Sequence, residues 1–194
     1  MTRRFRRRPS TTVFALLALA VVILARSTYD RIVDRPGLAA PGFLQEGGCE
    51  LVRVIDGDSI VVRQTVTHPA GGKRMTSEAT IRLLGIDCPE FDEPWGTEAT
   101  TMTRRLLDEG AVTLRLDRRR LDRYERVLAY VFVNDLMVNA ALVRAGLARA
   151  DVYPGDSQSM GRIFDKAEAE AKADRRGIWG PVGKSLDPES SRGR

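Results

Sequence analysis

The sequence predicts a small α+β domain in which a five-stranded β-barrel is covered by three helices, preceded by an N-terminal signal or anchor segment. Five short runs are rich in β-branched residues, and three longer segments have helical patterns. They follow one another as three strands, a helix, two strands and two helices. That order suits a small barrel with helices packed on its outside.

The predicted strands are short apolar runs separated by turn sequences. They are residues 51–55, 59–66, 79–86, 111–116 and 127–133. The first two runs flank Asp56-Gly57-Asp58, a sequence typical of a tight hairpin turn. We therefore expect an antiparallel hairpin at the start of the barrel.

The predicted helices cover residues 97–109, 138–145 and 160–176. A glycine lies directly after each of them, as is common at helix C-termini. In the third helix, one stripe is expected to carry the apolar residues Met160, Ile163, Phe164, Ala167 and Ala171.

Residues 1–27 have the pattern of a secretory signal, with six arginines, no acid and an apolar run of thirteen residues at 13–25. A full membrane span needs roughly 20 apolar residues. The segment is therefore either a cleaved signal peptide or an uncleaved membrane anchor through residues 11–27. Both readings predict export across the cytoplasmic membrane, to a secreted, periplasmic or N-terminally membrane-anchored location.

Composition divides the rest of the chain into three parts. Residues 28–48 are rich in glycine and proline and predict a linker, and residues 49–179 predict the folded domain. Residues 180–194 are polar and predict a disordered tail.

The net charge of +5 does not by itself indicate a polyanionic ligand. Removing the six leader arginines from the 31 basic residues leaves 25, against 26 acids. Any such ligand must therefore be inferred from local clusters of charge. The chain has one histidine, which excludes chemistries that need two histidines in one chain.

Charged residues at the ends of the predicted strands are the candidates for chemistry. Asp58 lies at the hairpin, Arg82 lies inside an apolar strand, and Arg126 directly precedes the last strand. Taken singly, the first is typical of a turn and the last of a solvated charge, but a buried Arg82 needs an anionic partner. Together with Asp87 and Glu90, they fit phosphodiester hydrolysis with a divalent cation, because carboxylates suit the metal and arginines fork onto phosphate.

In order and spacing, these segments resemble the staphylococcal nuclease (thermonuclease) family over about residues 51–179. The resemblance extends to the helical sequence Met-Val-Asn-Ala-Ala-Leu-Val-Arg-Ala-Gly-Leu-Ala and to the closing Gly-Ile-Trp. It implies an oligonucleotide-binding (OB) barrel and a monomeric endonuclease. It also implies calcium-dependent cleavage of DNA or RNA at the 5′-O–P bond, leaving 3′-phosphates.

The resemblance also implies roles for individual residues. By position, the catalytic residues are Arg82, Glu90 and Arg126; the calcium ligands are Asp58, Asp87 and the backbone carbonyl of Cys88; and the substrate-binding residues are Arg123, Tyr124 and Tyr153. Glu90 matches a catalytic glutamate usually described as a general base. Arg82 and Arg126 match two phosphate-binding arginines.

Two departures from the family pattern keep an alternative open. Glu125 and Val127 replace glycines that often flank the second arginine, and the loop at 91–96 is short and acidic. A negative charge beside Arg126 would weaken its hold on phosphate. The alternative function is a non-catalytic nucleic-acid-binding OB module tethered at the cell envelope.

Residues 115–126 contain six arginines and three acids. They either steer a phosphate backbone to the site or form a solvated surface loop. The two cysteines are not expected to form a disulfide. Cys88 adjoins Asp87, which must lie near Asp58, whereas an extended strand of about 3.3 Å per residue separates Cys49 from Asp58, beyond the roughly 7 Å that a disulfide spans.

Overall fold

The computed structural model describes residues 44–67 and 74–181. The predicted leader, most of the predicted linker and nearly all of the predicted tail lie outside the described residues. Within the described residues, no helix combines the length and the apolar character needed to cross a membrane.

The centre of the fold is a closed five-stranded barrel, which confirms the predicted fold class. The strands are β1 (Gly47–Val54), β2 (Ser59–Thr67), β3 (Arg74–Leu83), β4 (Ile86–Asp87), β5 (Val112–Leu121), β6 (Val127–Val133), β7 (Leu136–Met137) and β8 (Arg149–Ala150). The barrel order is β3-β2-β1-β5-β6, and parallel pairing of β3 with β6 closes it. The short β4 pairs separately with β8.

Three helices cover the barrel, as predicted: α1 (Gly96–Leu107), α2 (Val138–Arg144) and α3 (Gln158–Ala173), followed by a 3-10 turn at Gly177–Trp179. The buried side of α3 carries Met160, Phe164, Ala167 and Ala171. Ile163 was expected in this stripe, but it is 41% exposed. The buried residues are spaced by four, three and four positions, and Ile163 falls about 100° away from Phe164 around the helix.

Several strands begin or end at residues other than those predicted. Leu44 is buried in the core and β1 begins at Gly47, so the folded part starts before the predicted boundary at Cys49. β3 ends at Leu83 instead of continuing to residue 86, because the chain turns at Gly85, whose φ is 79°. β5 continues to Leu121, so most of the arginine-rich stretch is strand and not loop.

A buried asparagine connects the helical layer to the barrel. Asn139 in α2 accepts a hydrogen bond from the backbone N–H of Val131 at 2.9 Å and donates one to the carbonyl of Leu84 at 2.9 Å. Asn139 is fully buried, so both bonds are shielded from water. They fix the end of β3, which carries the candidate site, against β6 and α2.

Strand register brings the candidate residues to one end of the barrel. Ser59 pairs with Arg82 across β2 and β3, and Arg82 pairs with Leu128 across β3 and β6. The hairpin residue Asp58 and the turn residue Arg126 each precede the strand that flanks β3. The charged residues at these strand ends therefore meet around Arg82.

Candidate active site

Arg82 links the two aspartates that the sequence predicts to share a metal. Its Nη2 lies 2.6 Å from Asp87 Oδ1, and its Nη1 forms an ion pair with Asp58 Oδ2. The side chain of Arg82 is 16% exposed and that of Asp58 is 8% exposed. The sequence predicted that a buried Arg82 needs an anionic partner, and the structure provides two, the carboxylates of Asp58 and Asp87.

Asp58 is held in place by hydrogen bonds with three neighbouring residues. Its Oδ2 accepts a hydrogen bond from the backbone N–H of Cys88 at 2.7 Å, and its Oδ1 accepts one from the Ser59 hydroxyl at 3.3 Å. Its own backbone N–H donates to Asp56 Oδ1 at 3.0 Å. The Asp-Gly-Asp sequence thus forms a turn and also orients a buried carboxylate.

Gly57 allows the hairpin to pack closely against the rest of the site. A Cβ built at this position would lie 2.8 Å from the side chains of Ala99 and Cys88. The carbonyl of Gly57 accepts a hydrogen bond from the Thr103 hydroxyl of α1 at 2.6 Å. The helix therefore positions the aspartate hairpin, and a larger residue at 57 would displace it.

Cys88 can offer only its backbone to a hard cation. Hard cations such as calcium take oxygen ligands and not sulfur, and burial raises the pKa of this thiol to about 12. Cys49 and Cys88 both carry free thiols. Within the described residues, no group of three or more His, Cys, Asp or Glu side chains is arranged to hold a metal ion. A cation here would take two carboxylates, a carbonyl and water, a donor set that suits calcium.

Arg126 lies at the end of a turn that Asp122 organises. Asp122 Oδ1 accepts hydrogen bonds from the backbone N–H groups of Tyr124 at 2.8 Å and Arg126 at 2.9 Å. Its Oδ2 accepts a bond from Arg126 Nε at 2.6 Å, while Arg126 Nη1 reaches the Ser59 hydroxyl at 3.4 Å. The second phosphate-binding candidate therefore points toward the neighbour of Asp58.

Asp122 is a site residue that sequence reasoning missed. Partial burial raises its pKa, but hydrogen bonds from Arg126 and Tyr124 outweigh that effect and leave the pKa below its ordinary value. Asp122 is therefore ionised at neutral pH and holds Arg126 by charge as well as geometry. The signal available in the sequence was an aspartate at the start of a turn, a position where its side chain bonds to the backbone two residues on.

Glu125 stands where the family pattern often has a glycine beside the second arginine. Its φ is 63°, in the left-handed region where glycine is favoured. The side chain is exposed beside Arg126. The turn thus keeps the conformation that a glycine would adopt easily, with a negative charge added.

Glu90 lies on a tight loop between β4 and α1. The backbone N–H of Glu93 donates to the carbonyl of Glu90 at 2.9 Å, and Glu93 Oε2 accepts from the N–H of Glu90 at 3.0 Å. A Cβ at Gly96 would lie 1.8 Å from the Glu90 carbonyl, so only glycine fits there. Glu90 itself is exposed. It does not line the groove that contains Arg82, Asp87 and Arg126.

A groove of about 640 Å³, here called the first groove, is lined by six of the nine predicted site residues and not by Asp58, Cys88 or Glu90. Of the predicted site residues, it is lined by Arg82, Asp87, Arg123, Tyr124, Arg126 and Tyr153. Its other lining residues include Arg119, Asp122 and Asp151. Four guanidinium groups thus face three carboxylates, and the planar fork of arginine suits phosphate oxygens.

Both tyrosines of the first groove lie against arginines. The guanidinium carbons of Arg123 and Arg126 lie 4.6 and 5.6 Å from the ring centroid of Tyr124. That of Arg119 lies 4.5 Å from the ring centroid of Tyr153. The groove therefore offers aromatic faces and positive charge side by side, which is the combination that binds nucleotides.

Comparisons with known proteins agree with this geometry. The family model described as "Staphylococcal nuclease homologue" matches residues 80–181. The chain is 31% identical to a thermonuclease of Staphylococcus intermedius over 175 residues, which are 87% of this chain and 96% of that protein. It is 35% identical to a thermonuclease of Staphylococcus hyicus over 67% of this chain and 74% of that protein.

A third relative is endonuclease YncB of Bacillus subtilis (strain 168), which is 36% identical over 69% of this chain and 62% of its own length. The family match covers β6, the three helices and the turn that carries Arg126. It also includes Arg82, Asp87 and Glu90. The fold, the clustered arginines and aspartates, and these matches together show that the chain belongs to the family of staphylococcal nuclease homologues.

Proposed function

We propose that this protein hydrolyses phosphodiester bonds of DNA, RNA or both in a calcium-dependent reaction that breaks the 5′-O–P bond and leaves 3′-phosphates. Relatives named thermonuclease and endonuclease support nuclease activity in this family. The observation that carries the proposal is the placement of Arg82 between Asp58 and Asp87, with Arg126 bonded to the adjacent Ser59.

Calcium would be held by the carboxylates of Asp58 and Asp87 and by the backbone carbonyl of Cys88. When bound, it would screen the negative phosphate and position the attacking water. The residues fit this role because Asp58 is buried and pre-oriented, whereas the Asp87 side chain is 58% exposed and leaves one side open to solvent and substrate.

Arg82 and Arg126 would bind the phosphate oxygens. The five-coordinate transition state carries more negative charge than the substrate, so fixed guanidinium groups stabilise it preferentially. Asp122 keeps one edge of the Arg126 guanidinium occupied and directs the other toward the site. Arg82 is already desolvated, which strengthens its interaction with an incoming oxygen.

Glu90 would accept the proton of the attacking water. Water attacks phosphorus, the bond to the 5′ oxygen breaks, and the departing oxygen takes up a proton from solvent water to become a 5′-hydroxyl. The proton held by Glu90 is then released to solvent, which restores the carboxylate. Among the described residues, no hydrogen bond is formed by the side-chain carboxylate of Glu90, so its oxygens are free to accept that proton.

A digestion assay tests the proposal. Purified protein should degrade single-stranded DNA in calcium and stop when a chelator is added, and the products should carry 3′-phosphates. The variant Glu90→Gln should lower the rate by about two to four orders of magnitude, the range expected for loss of a general base. Asp92→Asn is the matched control, because it removes a negative charge from an exposed position of the same loop.

The outcomes separate the two candidate functions. Equal loss of activity in both variants would show that loop charge, and not Glu90, is responsible. Tight binding of nucleic acid in calcium without turnover would favour the non-catalytic OB module instead.

The proposal includes export through residues 1–27. The mass of the mature protein, measured in the culture medium and in the membrane fraction of its natural host, separates a cleaved signal from an anchor. Recovery of the full-length chain only from the cytosol would contradict export in either form.

A further inference from the structure

A second groove of about 740 Å³ lies beside the first. It is lined by Asp117 and Arg118 of β5 and by residues 152–159, and it is called the second groove below. Tyr153 lines both grooves and therefore lies where they meet. Apart from Tyr153, no residue that lines the second groove has a role in the proposed reaction.

The loop that walls the second groove is fixed to β5 at two points. Asp117 Oδ2 accepts hydrogen bonds from the backbone N–H of Ser157 at 2.8 Å and from the hydroxyl of Tyr130 at 2.6 Å. The Asp156 side chain is only 1% exposed and takes two bonds from Arg119, at 3.1 and 2.8 Å. The groove is therefore preformed and not a gap beside a loose segment.

Tyr153 presents an aromatic surface where the two grooves meet. The residue is 52% exposed, and the guanidinium of Arg119, which lines the first groove, covers one face of the ring. Tyr153 also lines the second groove, which Arg119 does not line, so the residue is available to a ligand on that side as well. Stacking of bases on such rings is how proteins hold single strands.

Arg118 supplies positive charge to the second groove. It is exposed, and none of the described residues forms an ion pair with it. Arg119, the next residue on β5, is by contrast neutralised by Asp156. The Asp117 carboxylate, which lines the same groove, interacts with the charge of Arg118, but no carboxylate among the described residues lies within ion-pair distance of this guanidinium, so it remains available to a phosphate oxygen.

We propose that the second groove binds the next nucleotide of a single strand whose scissile phosphate lies in the first groove. Tyr153 separates the two nucleotides, its ring stacks on the second base, and Arg118 binds the phosphate of that nucleotide. The strand is single because a base in a duplex has both faces already stacked. This inference rests on the proposed function, whose site it extends.

Binding measured without turnover tests the inference. Calorimetric titrations of the full folded protein with thymidine dinucleotide and hexanucleotide, in chelator so that neither is cut, give the two affinities separately. The hexanucleotide should bind more tightly. Arg118→Gln should weaken the hexanucleotide about fivefold, as expected for one charge-assisted contact, and leave the dinucleotide unchanged. The dependence of log affinity on log salt should fall by about 0.7.

Two further variants make the result specific. Arg115→Gln removes an exposed arginine of the same strand that lines neither groove, and it should change neither affinity. Gln158→Trp places a large ring at an exposed lining position and should weaken only the hexanucleotide. Equal effects of the Arg115 and Arg118 variants, or equal affinity of the wild type for both lengths, would overturn the inference.

The same measurements distinguish this inference from the proposed function. If the protein cleaves nucleic acid in calcium but Arg118→Gln does not change the affinity for the hexanucleotide, the nuclease proposal stands and the second nucleotide site is refuted. If Arg118→Gln weakens hexanucleotide binding but the wild type does not cleave in calcium, the second nucleotide site stands and the nuclease proposal is refuted.

Discussion

Replacing Glu125 separates the effect of backbone strain from the effect of charge at the turn that carries Arg126. Glu125 is exposed, has a φ of 63° and lies one residue from Arg126. Glu125→Gln removes the charge and keeps a side chain in the left-handed conformation. Glu125→Gly removes both the charge and the strain, so the difference between the two variants isolates the backbone.

The backbone term is small and has a defined sign. A side chain in the left-handed region costs about 1–2 kcal/mol, and glycine forfeits about 0.5–1 kcal/mol of that gain through its greater freedom in the unfolded chain. Glu125→Gly should therefore be about 1 kcal/mol more stable than Glu125→Gln. For a domain of this size, that difference raises Tm by roughly 2–4 °C.

The charge term acts on the substrate. Two unit charges about 8 Å apart in water repel each other by about 0.5 kcal/mol, which is the scale expected for Glu125 and a phosphate bound by the adjacent Arg126. Both variants should therefore lower KM for nucleic acid about two- to threefold. The gain should shrink in about 1 M salt, where the screening length falls to about 3 Å.

Thermal unfolding and steady-state kinetics on the three proteins check both terms. A Glu125→Gly variant less stable than Glu125→Gln would refute the assignment of strain to this turn. Unchanged KM in Glu125→Gln at low salt would show that the substituted charge does not reach the bound phosphate.

Three further outcomes are expected. Arg82→Ala should destabilise the fold by about 3–5 kcal/mol as well as abolish activity, because it leaves the buried Asp58 without its counterion; a normal melting curve would contradict this. Burial raises the pKa values of Asp117 and Asp122, but the hydrogen bonds that each accepts leave them below the ordinary 3.8. The stability that both carboxylates contribute is therefore present above about pH 4 and lost as pH falls through the folded-state pKa values; in acid titrations followed by fluorescence, Asp122→Asn should show a shallower loss of stability. Burial raises the pKa of the Cys88 thiol to about 12, so iodoacetamide should label it slowly in the native protein at pH 8 and rapidly in denaturant; equal rates by mass spectrometry would contradict its burial.

Strands with continuous apolar runs could be predicted from the sequence at residue level. The limits predicted for β6 match the structure, because a run of apolar residues lies between charged residues on one side and Asn134-Asp135 on the other. The length of β5 was underestimated. Its second half consists largely of charged residues whose side chains face solvent or the grooves, and their backbone pairing is not encoded in their polarity.

The sequence predicted which charged residues lie near one another but not which of them form ion pairs. Asp58 and Asp87 were expected close together, whereas the ion pairs of Arg82 with both carboxylates were not predicted. The pairing of Arg119 with Asp156 joins residues far apart in sequence, and no local pattern marks either one as a partner. The sequence likewise places Asn139 in a helix, but it does not indicate that the side chain connects that helix to the barrel.

The parallel pairing of β3 with β6 has a consequence for the timing of activity. Residues 81–83 pair with residues 127–129, so the seam that completes the barrel also brings together Arg82 and Arg126, the arginines proposed to bind phosphate. A chain made only as far as β5 can pair β3 with β2 but has no strand for the other edge of β3, and it holds only the part of the candidate site that precedes Arg126. An enzyme built this way would stay harmless to the nucleic acids of its producing cell while the chain is unfinished or unfolded, and would become competent only when the seam closes.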